Sequence, residues 1–186
     1  MYETSEFRKG LYIELEGVPF QIVDFQHVKP GKGNQFTRTR IKNLVNNNVI
    51  DKTFKSGDRV GEPELEKKRM QFLYSEPDGH QFMDLEAYEQ IRLDSEAVGD
   101  LKNYLIENLE IEVLYFRGKP IAIELPTFVN LKITYCEPGV KGDTASGGSK
   151  PATLETGMSV QVPFHIKQGD MLKIDTRTGE YVEKVR

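Results

Sequence analysis

The chain has 186 residues, 25 Lys+Arg against 29 Asp+Glu, a formal net charge of −4, one Cys, three His and no Trp. Its 38% hydrophobic content supports a folded core, but no apolar run is long enough to cross a bilayer and the opening MYETSEFRKG lacks the apolar stretch of a secretory signal. The lone Cys136 excludes an internal disulfide and a thiolate zinc cluster, so a reducing, cytoplasmic setting is expected.

Val, Ile, Phe, Tyr and Thr together number 55 against five Ala, which favours strands over helices. At residues 11–15, Leu11, Ile13 and Leu15 alternate with polar neighbours, a turn is predicted at 17–19, and residues 19–25 run back as a second strand. Residues 35–42 alternate too, with Phe36, Arg38, Arg40 and Lys42 on one face and Gln35, Thr37, Thr39 and Ile41 on the other. Further strands are predicted at 69–74, 81–85, 109–116 and 120–125. Residues 95–108 read as a helix, with Ser95 as N-cap and Val98, Leu101 and Leu105 on one side. Near the end, Val129, Leu131, Ile133 and Tyr135 share one face of a strand, and Met158, Val160, Val162 and Phe164 share a face of another. The three histidines, at 27, 80 and 165, match no metal-ligand spacing and are read as turn or surface residues; no metal or cofactor is expected.

Charge divides the chain into three. Residues 1–62 carry 10 Lys+Arg against 8 Asp+Glu, residues 63–127 carry 7 against 14, and residues 128–186 carry 8 against 7, giving +2, −7 and +1. Three domains with those bounds are expected. Modules of this size bury only about 60% of their unfolded surface, and closely spaced short strands suit small barrels of the SH3-like and OB types. The fold class is therefore all-β, three small barrels in series.

Residues 25–50 contain Lys29, Lys32, Arg38, Arg40 and Lys42 and no acidic residue, with Asp24 and Asp51 just outside. Cations about 6.6 Å apart along one strand face suit a polyanion, although the same pattern fits a solvated edge strand guarded by charge. Within Lys29-Pro30-Gly31-Lys32-Gly33-Asn34, Pro30 and Gly31 fit the centre of a type II turn, and Lys32 falls between two glycines. A flexible ammonium there suits a phosphate contact or enzymatic modification, or is an ordinary solvated turn lysine.

The stretch VKPGKGNQFTRTRIKNL (28–44) with KTFKSGD (52–58) resembles the first domain of the bacterial elongation factor P family. PGVKGDTASGGSKPATLETG (138–157) and VQVPFHIKQGDMLKIDTRTGEYVEKV (160–185) resemble its third domain, so the likeness spans effectively the whole chain. The resemblance implies an N-terminal SH3-like (KOW-type) barrel and two OB barrels in a tRNA-like outline. It also implies a monomer that binds the ribosome between the P and E sites, beside peptidyl-tRNA, and relieves stalling at consecutive prolines. Lys32 would contact the CCA end of the P-site tRNA and be the target of a lysine-modifying enzyme; Asn34-Gln35 stand where family members vary. Lys29, Arg38, Arg40 and Lys42 would dock on RNA, ribosomal RNA included, with Pro30, Gly31 and Gly33 forming the turn. Gly142, Asp143 and Thr144 would contact the small subunit. The related archaeal and eukaryotic factor that carries hypusine has two domains and a different tip. Such a factor is not an enzyme and has no catalytic residue.

Other classes fit less well. Residues 141–151 are rich in Gly, Ser and Thr but lack Walker spacing, and no GxSxG elbow, His/Cys pair or metal cluster is present. A single-stranded RNA-binding OB protein of the cold-shock kind needs aromatics on a basic sheet face, whereas Phe72, Tyr74, Phe82 and Tyr88 fall in the acidic third, which is expected to avoid phosphate.

Overall fold

In a computed structural model that describes residues 1–139 and 148–186, the chain is built almost entirely from antiparallel strands. The N-terminal part contains β1 (Tyr2–Glu3), a 3-10 turn (Thr4–Glu6), β2 (Tyr12–Leu15), β3 (Val18–Val28), β4 (Phe36–Asn43), β5 (Val49–Lys55) and β6 (Arg59–Val60). β2 to β5 form a meander in sequence order, while β1 pairs with β6. The turn between β2 and β3 is Glu16-Gly17, with φ of 50° and 76°, one residue before the predicted place; both values are those of a type I′ hairpin. Inward residues of this sheet, Ile13, Ile22 and Ile41, join Phe7, Leu11, Phe20, Phe54 and Val60 in one core.

The middle sheet has the order β11-β10-β7-β8-β9, from β7 (Glu66–Glu76), β8 (Gly79–Asp84), β9 (Gln90–Asp94), β10 (Glu110–Phe116) and β11 (Lys119–Glu124). The helix predicted over 95–108 is not continuous. One α-helical turn, α1 (Ser95–Val98), with Asp94 rather than Ser95 at the cap position, gives way to a 3-10 segment (Gly99–Tyr104). Gly99 has φ 56° and ψ −138°, a conformation open to glycine that ends the α hydrogen-bond ladder. The predicted apolar side survives this break, with Val98 and Leu105 still buried.

The last sheet has the order β14-β13-β12-β15-β16, from β12 (Phe128–Cys136), β13 (Ser149–Leu154), β14 (Ser159–Pro163), β15 (Met171–Asp175) and β16 (Tyr181–Lys184). Val129, Leu131 and Ile133 point inward as predicted, but the register shifts between Ile133 and Tyr135. This bulge turns Tyr135 out, 58% exposed, and Cys136 in. At the end of β14, Val160 and Val162 are buried while Met158 and Phe164 are half-buried, and Ile166 completes the core.

Contacts group Met1–Lys67 with Leu114–Ala122, and Lys68–Val113 with Ile123–Arg186. In the first group Leu44 packs with Leu114, Ile121 and Ala122. In the second, Tyr104, Ile106 and Leu109 lie against the C-terminal core. Among the described residues no helix is long and apolar enough to cross a membrane.

His80 is not a surface residue. It is buried, and its Nδ1 lies 2.8 Å from Ser75 Oγ. Burial, with the cations Lys102 and Arg92 nearby, lowers the pKa of its imidazole. The folded state therefore holds the neutral ring, while the unfolded chain takes up a proton near pH 6.5. Stability conferred by this group is present above that pH and lost as pH falls towards the lowered folded value. Thermal unfolding at pH 7.5 and 5.5 checks this: the midpoint of the natural chain should drop more than that of His80→Gln.

Candidate nucleic-acid interface

β3 and β4 make a long hairpin, in register from Phe20↔Asn43 to Val28↔Phe36 with one bulge between Ile22 and Asp24, and β5 pairs along the other side of β4 to complete a three-stranded finger. Two buried threonines tie its strands laterally. Thr37 Oγ1 lies 2.9 Å from His27 Nδ1, and the Thr39 hydroxyl donates to the Lys52 carbonyl at 2.7 Å. Residues 29–35 cap the finger, all of them exposed, and Lys32 stands in the middle. Gly33 has φ 104°, a conformation that an L side chain occupies only with strain. Gly31 is not among the left-handed glycines, so the tip is a wider bend and not the predicted type II turn centred on Pro30 and Gly31. A Cβ at either Gly31 or Gly33 would meet nothing within 4 Å. The glycines thus place no side chain on either side of Lys32 along the chain.

Below the tip, alternation along β4 is as the sequence predicts. Thr37, Thr39 and Ile41 are buried, Arg38 and Arg40 are exposed, and Phe36 and Lys42 are half-buried. β4 pairs with β3 on one side and β5 on the other, so these cations do not guard a sheet edge.

Cross-strand register separates the arginines. Arg40 lies between Asp24 on β3 and Asp51 on β5, and its Nε is 3.5 Å from Asp51 Oδ1. The two carboxylates that bracket the basic stretch in sequence thus flank Arg40 in space. Arg38 lies between the neutral Gln26 and Thr53, with its guanidinium over the Phe36 ring at 5.4 Å. Lys42 lies between Gln21 and Val49. On the side towards the tip, Lys55 sits opposite Phe36 and extends the positive row. The sequence reading missed Lys55 and also Lys52, whose Nζ lies 5.6 Å from the Phe54 ring centroid. Their signal was the pair of lysines in KTFK, flanking the one buried aromatic of β5.

Gly142, Asp143 and Thr144 lie outside the described residues. Nearby Lys150 is buried, and its ammonium donates to the Glu137 carbonyl at 2.6 Å. That is a structural role rather than phosphate binding. In the acidic middle sheet Phe72 and Phe82 are core residues with ring centroids 5.6 Å apart, which leaves Tyr74 and Tyr88 exposed and no basic stacking platform among the described residues there. No group of three or more His, Cys, Asp or Glu among the described residues is arranged to hold a metal.

Comparison with known proteins covers the chain in three consecutive stretches. Residues 3–60 match the elongation factor P KOW-like domain, 65–123 the elongation factor P OB domain, and 129–184 the elongation factor P C-terminal domain. An elongation factor P of Bdellovibrio bacteriovorus is 54% identical over 185 residues, covering 100% of this chain and 98% of the relative. One of Thermodesulfovibrio yellowstonii is 53% identical over 186 residues, covering 100% of both chains. One of Pelotomaculum thermopropionicum is 52% identical over 185 residues, also covering 100% of both.

Proposed function

The chain belongs to the elongation factor P family and is a translation elongation factor; from this we propose that it relieves ribosomes stalled at consecutive prolines by steadying the CCA end of the P-site tRNA. It binds beside peptidyl-tRNA, between the P and E sites, as a cytoplasmic monomer. Its three domains are 1–62, 63–127 and 128–186, a division that the three matched stretches support. Proline is a constrained secondary-amine nucleophile, and a poorly placed donor end slows its attack further. Holding that end in a reactive geometry removes part of an entropic barrier, and orientation effects of this kind reach several kcal/mol. Lys32 supplies the cationic contact, and a modifying enzyme that lengthens its side chain extends the reach. Peptide-bond chemistry stays with the ribosome.

The observation that carries this reading is the exposed Lys32 between two glycines with open space around them. Docking falls to Lys29, Arg38 and Lys42, which position the barrel on tRNA and ribosomal RNA phosphates without reading sequence. Gly142, Asp143 and Thr144 contact the small subunit.

Arg40, beside Asp51, contributes less than its exposure suggests. Four cations, Lys29, Lys32, Arg38 and Lys42, should give a slope of log K against log salt of about −2.8, at roughly 0.7 per phosphate neutralised. Arg38→Ala should reduce its magnitude by about 0.7, and Arg40→Ala should change it little. Ribosome binding measured across a salt series reads both variants, and equal effects from the two would contradict this division of labour.

A further inference from the structure

The two edges of the N-terminal sheet are finished differently. On the β2 side, Glu14 N–H donates to the Gly61 carbonyl at 2.9 Å and Gly61 N–H returns the bond at 3.3 Å, which closes that edge. β5 ends the sheet on the other side and, among the described residues, pairs with β4 alone.

In an antiparallel pair, residues bonded to the partner strand alternate with residues whose N–H and C=O face outwards. Asn43 N–H donates to the Asn48 carbonyl at 2.8 Å and Ser56 N–H to the Gln35 carbonyl at 3.1 Å, so even-numbered residues of β5 face β4 and odd-numbered ones face out. Lys55 fits this parity, since its N–H donates to Asp58 Oδ2 at 2.8 Å and its carbonyl accepts from Asp58 N–H at 3.0 Å. That turn caps one end of the edge and leaves Val49, Asp51 and Thr53 with outward backbone groups; all five residues from Val49 to Thr53 are exposed. Free edges are normally blunted along their length by charge or proline. Here the end far from the tip shows Val49 and Ile50, each 46% exposed, beside Val45 at 47%, and the end towards the tip shows Lys52 and Lys55. A strand that is apolar at one end and acidic at the other complements both halves, whereas a basic segment of the kind that coats RNA would meet the two lysines with like charge.

We infer that the free edge of β5 is the docking strand for the enzyme that modifies Lys32, which adds an extended segment of its own to the sheet, apolar beside Val49 and Ile50 and acidic beside Lys52 and Lys55. This rests on the modification reading above. Gly31 and Gly33 offer an enzyme no side chain next to its target, so selection of Lys32 over the other exposed lysines uses features below the tip. The edge leads there directly, because Lys55 pairs with Phe36, the first β4 residue after the exposed 29–35 segment. Main-chain pairing also fixes how far along the finger the enzyme sits, since a one-residue slip reverses every side chain of the added strand.

The test follows the full chain in its native host, where intact-mass measurement of newly made protein gives the initial rate at which the peptide carrying Lys32 gains mass. Thr53→Pro removes one outward N–H and leaves the ladder to β4 intact, a substitution that edge strands accept. It should slow modification about tenfold, while Thr53→Val, which keeps the N–H, should match the natural chain. Lys52→Glu should also slow modification, because it opposes an acidic segment. Should Thr53→Pro fail to fold, as read by circular dichroism, Lys52→Glu and Lys55→Glu decide, since both side chains are exposed. Equal rates for the natural chain, Thr53→Pro and Lys52→Glu would overturn the docking strand, and faster modification of Lys52→Glu would overturn its acidic partner. Either result, with the natural chain modified, removes only this inference. A natural chain that gains no mass at Lys32 removes the modification reading itself, and the docking strand with it.

Discussion

Lys32→Ala abolishes relief of a stall at three consecutive prolines in a reconstituted translation reaction, while unfolding of the purified chain changes by no more than about 0.5 kcal/mol. The two halves of this expectation have different origins. Lys32 is exposed, and added atoms at its glycine neighbours would touch nothing, so its removal costs no packing. On the proposed reading the functional loss is large because the Lys32 ammonium is the contact that steadies the CCA end, while Lys29 serves docking. Lys32→Arg keeps the charge but replaces a compact ammonium with a planar fork that a lysine-modifying enzyme does not accept. It should retain ribosome binding and lose most stall relief wherever the natural protein is modified. An intact-mass measurement on protein from its native host, with the added mass mapped to the peptide carrying Lys32, checks that condition.

Phe82→Ala is expected to have the largest effect on stability. Its side chain is fully buried, 0% exposed, and packs on Phe72 in the middle sheet. Removing a buried ring deletes its transfer free energy and leaves a cavity that the surrounding strands only partly fill, a cost of about 3–5 kcal/mol. Whole domains are stable by only about 5–15 kcal/mol, so this change consumes a large part of the margin. Tyr74, on the neighbouring strand, is 50% exposed and serves as the control; Tyr74→Ala should cost less than half as much. Chemical denaturation followed by tyrosine fluorescence and by circular dichroism measures both, and comparable losses would contradict the assignment of Phe82 to the core.

What could be read from the chain follows from how far apart the determining contacts lie in sequence. The alternation Arg38-Thr39-Arg40-Ile41 is local, so β4 and its two faces were legible before any coordinates. The exposed lysine between two glycines was legible for the same reason. The flanking of Arg40 was not, because Asp24 and Asp51 reach it through pairings that only the folded register sets. β5 carries no period-two signal, since six of its seven residues are exposed. Tyr135 was assigned to the wrong face because a bulge inserts one residue, and each such insertion exchanges the two faces downstream. In residues 95–108 the apolar spacing was right and the continuity wrong. Gly99 breaks the helix while leaving Val98 and Leu105 on the buried side. His80 looked like a turn residue because its burial depends on strands β7 and β9 pairing on either side of β8.

The central claim is that the apex of the finger lies against the tRNA 3′ end, and tethered cleavage tests it most directly. Cys136 is buried and can be replaced by Ala; Lys32→Cys then provides a single attachment point for an iron chelate that generates hydroxyl radicals. On stalled ribosomes carrying peptidyl-tRNA, strand scission should concentrate at the CCA end of the P-site tRNA. Scission confined to other RNA, with the CCA end uncut while the tethered protein is bound, would contradict the account.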